Sequence, residues 1–189
     1  MTTIGLSVKW RGDAPIADIS TLPIWELCPL AHEDFTDALA NGFEKAGDPE
    51  FNLHWSGTKL SLSSVSDLTY MANDLIDFGR WLCWPIGSQS FALAVQGFEM
   101  RAVATDINSV VNISADWKAA YRTPVASLAN RVSVGRSAIS RDIGVLLRQL
   151  EQMLLADKLV YVPLSWVCRY IPLSEAGESE KEEAGRRAR

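Results

Sequence analysis

Hydrophobic and polar positions along this chain follow two different periods, and the changes of period predict a mixture of strands and helices. Ile4, Leu6 and Val8 alternate with polar or small neighbours, which predicts a strand within residues 1–10. Pro15, Pro23 and Pro29 then break up residues 12–29 and predict irregular chain there. From His32 to Lys45 the period becomes helical. Phe35, Ala38, Leu39, Gly42 and Phe43 form one stripe, and Gly47 with Pro49 should stop the helix. Phe51, Leu53 and Trp55, then Leu60 and Leu62, predict a strand pair turned at Ser56-Gly57. Ser64 with Asp67 three residues on resembles a capping box, opening a helix with Leu68, Met71, Leu75, Phe78 and Leu82 on one face. That helix should end near Pro85.

Strands are predicted at Phe91, Leu93 and Val95, and at Phe98, Met100, Ala102 and Ala104, joined near Gly97. Residues 107–117 are again β-rich, with Val111, Ile113, Ala115 and Trp117 on one parity. The longest helix should run over residues 137–156, with Ile139, Ile143, Leu146, Leu147, Leu150 and Leu154 inward. Residues 159–162 and 166–171 are the last strand candidates. Residues 174–189 contain no large apolar side chain and predict a disordered charged tail. The pattern therefore predicts one α+β domain over residues 1–173, an antiparallel sheet flanked by two or three helices.

Composition narrows the picture. The chain has 189 residues, 48% hydrophobic and 22% charged, the balance of a folded globular protein. No apolar run reaches the roughly 18 residues that span a bilayer, so no membrane is expected. The first ten residues lack the basic start and apolar core of an export signal. Cys28, Cys83 and Cys168 are odd in number and widely spaced, which suits a reducing compartment. The expected location is cytoplasmic.

Net charge is −5, but it is unevenly distributed. Residues 13–50 carry nine acidic groups against one basic group, Lys45, whereas residues 118–148 carry six basic groups against Asp142. Two faces of opposite field are one reading, and ordinary solvated charge is the other.

No Gly-rich phosphate loop, nucleophile elbow or zinc-helix motif occurs, so no catalytic residue and no cofactor is expected. His32 follows Cys28 by four residues, but two donors fall short of the three or four that zinc needs, and no metal is expected. A Cys28–His54 nucleophile pair stays open, because such partners meet in space. Cys28 lies among Ile24, Trp25, Leu27 and Leu30, which favours a core position. Trp81 and Trp84, at a helix end, are candidates for an exposed aromatic anchor.

Residues 65–155 run as a helix VSDLTYMANDLIDF, strands through FALAV and FEMRAVA, a strand VVNISADW, and a closing helix ending VLLRQLEQML. This order resembles the small immunity proteins of bacterial polymorphic-toxin systems, including the WapI-type families. The resemblance implies a non-catalytic module that binds and blocks a cognate toxin. Its partner would be a protein, a basic toxin domain, met by the acidic residues Glu33, Asp34 and Asp37.

A shorter stretch, LANRVSVGRSAISRDI over residues 128–143, resembles the helix-turn-helix of bacterial transcription regulators. That resemblance implies DNA as partner. Arg136, Ser137, Ser140 and Arg141 would approach it, with Ala129, Val134 and Ile139 packing the helix pair. The same residues can instead form a strand at 131–134 followed by a helix start at Ser137. Segment 119–134 separates the two readings: a strand fits the first and a helix the second.

Overall fold

The computed structural model describes residues 4–10, 26–95, 98–119 and 128–172. The irregular stretch before residue 26, the junction at Gly97 and the tail from residue 174 lie outside the described residues. So do the side chains of Leu93, Val95 and Phe98.

In chain order the elements are β1 (Ile4–Lys9), β2 (Cys28–Pro29), α1 (His32–Lys45), β3 (Glu50–Trp55), β4 (Thr58–Ser63), a π-helical turn (Ser64–Leu68) and α2 (Thr69–Cys83). Then come β5 (Ser88–Val95), β6 (Phe98–Ile107), β7 (Val110–Ala119), β8 (Arg131–Gly135), α3 (Arg136–Ala156), β9 (Leu159–Val160) and α4 (Val162–Tyr170). The fold is α+β. It holds two antiparallel sheets rather than one, ordered β1-β3-β4 and β5-β6-β7-β8, with β2 and β9 as a short parallel pair. Four helices are described, more than the two or three expected.

The hairpin turns follow from local chemistry. Ser56-Gly57 joins β3 to β4 with φ of 52° and 85°, the mirror-image turn that matches strand twist. Asn108-Ser109 joins β6 to β7 in the same way, with φ of 54° and 63°. Sequence patterning had run that second turn into a continuous β-rich stretch, because neither residue is glycine.

The start of α2 differs from expectation by one residue. Ser63, not Ser64, is the cap: its hydroxyl accepts from the Ser66 amide at 3.1 Å, and Asp67 Oδ2 accepts from the Ser63 amide at 2.9 Å. The reciprocal pair spans four residues because the chain enters through a π-helical turn. Ser64 instead donates its hydroxyl to Pro49 O at 2.5 Å and is buried.

Of the strand candidate at 166–171, residues 166–170 are helix and Ile171 is its C-cap. Pro163 sits at the start of α4, where its missing N–H costs nothing. Leu164, Val167, Cys168 and Ile171 are buried, a helical period that the alternation of Trp166, Cys168 and Tyr170 masked. Of the strand candidate at 159–162, only Leu159–Val160 pairs, with Cys28–Pro29.

Packing joins these elements into one core. Phe91, Met100, Ala102, Ala104, Val111, Ile113, Ala115 and Val132 line the inner face of the four-stranded sheet. Ile4, Leu6, Leu53 and Trp55 face them together with Leu75 and Phe78 of α2. Trp55 is fully buried and links the sheets. Its ring meets Trp117 edge-on at 5.1 Å, and its Nε1 donates to Ala129 O at 2.8 Å. Glycines let helices approach closely: a Cβ on Gly79 would stand 2.9 Å from both Leu147 Cδ1 and Val167 Cγ1, where α2, α3 and α4 meet.

Candidate protein-binding surface

Glu33, Asp34 and Asp37 project from the first turns of α1 and are exposed. There the helix dipole favours negative charge. None of the three forms an ion pair among the described residues. Other acidic groups of the same region are matched locally: Glu26 by Lys158 at 2.6 Å, Glu50 by Lys59 at 3.0 Å. Asp34 and Asp37 also border a depression of about 430 Å³ shared with Leu30, Lys45 and Leu159.

The start of α1 is tied to α4 through one tyrosine. His32 Nδ1 lies 2.7 Å from the Tyr161 hydroxyl, and the Tyr161 ring stacks on Phe35 at 3.9 Å. Burial, with Asp77 nearby, pushes the Tyr161 phenol above its ordinary pKa. From there α4 runs against the end of α2, and its outward side chains meet those of α2.

That meeting forms an aromatic patch. Trp84, Trp166 and Tyr170 have ring centroids 5.0 to 5.8 Å apart, and they are 54%, 36% and 48% exposed. The Arg80 guanidinium stands 5.7 Å from the Trp166 ring and pairs with Asp77 at 3.2 Å. Trp166 and Tyr170 lie i and i+4 on α4, so a helix whose other face is buried must present both together. Trp81, expected as the second member of this anchor, turns inward and is 7% exposed. It lies three residues before Trp84, but Trp84 has left the helix, with φ −140° and ψ 82°.

Three of the basic residues of 118–148 have partners within the fold, and Arg122 lies outside the described residues. Arg148 donates to Gly144 O at 3.0 Å, Cys168 O at 2.7 Å and Ile171 O at 3.2 Å, capping the C-terminus of α4. Arg136 pairs with Asp106 at 3.5 Å, and Arg141 with Asp142 at 3.2 Å. Residues 128–143 do not form a helix-turn-helix. Arg131–Gly135 is the β8 strand, hydrogen-bonded to β7 from Val110 to Ser114, where the motif needs helix and turn; residues 120–127 of the deciding segment lie outside the described residues. Val134 packs in a strand, and Ser140 is fully buried rather than presented on a recognition face.

The candidates for chemistry are dispersed. Cys28 is exposed, against the expectation of a core position, because it pairs at the short β2–β9 ladder. His54 lies on the exposed side of β3, in another sheet. Cys168 is buried, and burial raises its pKa far beyond the ordinary thiol range. Among the described residues no group of three or more His, Cys, Asp or Glu could hold a metal ion.

A depression of about 870 Å³ lies on the outer face of the four-stranded sheet. Ser90, Ala92, Val103 and Ser114 make a low floor there, with Arg101, Asp116, Arg131 and Asp74 around it. Burial raises the Asp74 pKa. Neither histidine and none of the cysteines lines this depression.

No family model matches this chain, and comparison with curated proteins and with solved structures returned no match.

Proposed function

We propose that this protein is a non-catalytic binding module for another protein, of the immunity type, that docks and blocks a basic toxin domain. The observation that carries this reading is the exposed Trp84–Trp166–Tyr170 patch with Arg80 beside it. Trp, Tyr and Arg dominate interface hot spots because they bury large area at low cost in side-chain entropy. Three exposed aromatic rings held in mutual contact are already ordered for that role. The carboxylates Glu33, Asp34 and Asp37, without ion pairs among the described residues, supply a negative field that speeds encounter with a basic partner. The α-helix, meander and closing-helix order that resembles the immunity families supports the finer part of the proposal.

The test starts from a pull-down in the native host with the wild-type protein as bait. The captured protein is then purified, its charge and toxicity measured, and its titration by the bait followed. Stoichiometric loss of toxicity, weakened by Trp84→Ala and Trp166→Ala, is the expected result. A captured partner whose affinity ignores both the aromatic and the acidic substitutions would overturn the assignment of this surface.

A further inference from the structure

We propose that the N-terminus of α3 is a binding site for a small phosphate-class oxyanion. The helix has 21 residues, and its N-cap is Gly135, so no side chain caps its first amides. The amide of Arg136 is taken by Ser109 O at 2.8 Å. Those of Ser137 and Ala138 lie beyond the reach of the helix's own carbonyls. No acidic residue occupies the first turn, so nothing in the helix neutralises the positive end of its dipole.

A depression of about 410 Å³ opens at this helix end, lined by Ser109, Arg136, Ser137, Ser140 and Pro172. That volume suits a small molecule.

The second observation is Ser140. It is 0% exposed, lines this depression from one turn inside the helix, and its hydroxyl has no hydrogen-bond partner among the described residues. A buried hydroxyl left without a partner keeps its full desolvation penalty, so such a group calls for an acceptor. An oxyanion seated on the amides of Ser137 and Ala138 would accept from it, and from the Ser137 and Ser109 hydroxyls.

Arg136 completes the set of donors. Its Nη2 lies 3.3 Å from Ser109 Oγ and its Nη1 lies 3.5 Å from Asp106 Oδ2, which holds the guanidinium beside the depression. Asp106 offsets part of that charge. Recognition therefore leans on hydrogen bonds and the helix end more than on net charge, which favours a compact phosphate group over an extended polyanion.

The probes are inorganic phosphate and adenosine monophosphate, titrated into the whole protein at fixed ionic strength. Backbone amide shifts and melting temperature are the readouts. Expected are saturable shifts centred on Ser137, Ala138 and Ser140, and a melting temperature that rises with either probe. Ser140→Ala removes an unsatisfied hydroxyl and should fold at least as well as wild type while binding at least fivefold more weakly. Ser137→Asp serves as the second variant. Its carboxylate suits the helix end, so the fold should hold, while repulsion of the probe should abolish the shifts. Linear, unsaturable shifts, or saturable shifts unchanged in both variants, would overturn the proposal. So would saturation of these amides by a short DNA duplex but by neither small probe.

Discussion

Trp84 and Trp166 lie with ring centroids 5.5 Å apart where the end of α2 meets α4, and both rings stay partly open to solvent, 54% and 36% exposed. Folding gains less from such half-covered tryptophans than from buried ones. Replacing either with alanine should therefore cost less stability than emptying a buried tryptophan site. Affinity for the protein partner should fall by roughly 30-fold or more, as for a hot-spot pair. Trp81→Ala is the internal contrast. It empties a buried site and should cost about 3–5 kcal/mol. Denaturant unfolding read beside a binding isotherm separates the two effects.

Arg148 holds the helix that carries this patch. Its hydrogen bonds to the Cys168 and Ile171 carbonyls bind the end of α4 to α3. Arg148→Ala should destabilise by about 2 kcal/mol, the range for hydrogen bonds to a charged group. Arg148→Lys should not restore it, because an ammonium cannot reproduce the planar fork whose Nη2 reaches both carbonyls while Nη1 is held by Gly144 O. Thermal unfolding of the three proteins checks this.

The glycines at helix contacts should respond unequally to alanine. At Gly42 the new methyl meets only the Met153 side chain, at 2.8 Å, and that chain can swing away. At Gly79 it meets Leu147 and the stiff Val167 at 2.9 Å. Helix propensity favours alanine by about 1 kcal/mol at both positions. Overpacking of about 1–3 kcal/mol should win at Gly79. Gly42→Ala should be near neutral and Gly79→Ala destabilising, as measured by chemical denaturation.

Asp74 should oppose folding at neutral pH. Burial raises its folded pKa above the unfolded value, while a hydrogen bond from the Ala92 amide works the other way. A folded pKa above the unfolded one means the native state binds the proton more tightly. Stability from this group is therefore present below the unfolded pKa and lost as pH rises through the folded one. Asp74→Asn keeps an acceptor for Ala92 and removes the charge. It should be more stable than wild type at pH 7, with the advantage vanishing below the ordinary carboxylate range. Unfolding free energies measured across that pH range give the sign.

Much of the fold was legible in the pattern because long elements show one period clearly. The span expected for α1 matches the observed helix residue for residue, and every predicted inward residue of α3 is buried. Short elements were harder. In α4, nine residues include Trp166, Cys168 and Tyr170 at alternate positions, a strand-like signal. Pro163 followed by Leu164, Val167, Cys168 and Ile171 was the helical signal that outweighs it. This misreading hid two of the three exposed aromatic residues, so only Trp84 of the patch was visible beforehand. The helix-turn-helix likeness failed for a different reason. Local residue identity in 128–143 matched, but the β-rich partner at Val110–Ser114 captured Arg131–Gly135 as a strand. Cys28 escaped the core because its neighbours' hydrophobicity does not fix its own direction at a two-residue ladder.

The acidic turn of α1 can be tested by charge reversal. Glu33→Lys, Asp34→Lys and Asp37→Lys together lose a favourable dipole interaction of about 1 kcal/mol in total, and the fold should survive. Association with a basic partner should slow and lose most of its dependence on salt. Stopped-flow association at two ionic strengths reads this directly.

The most direct measurement is growth of cells expressing the captured toxin together with this protein or its Trp84→Ala, Trp166→Ala double variant, each checked for equal abundance. Rescue by the wild type and loss of rescue by the folded double variant are the expected results. Equal rescue by both would contradict the aromatic patch as the binding surface, and no rescue by either would contradict the immunity-type function itself.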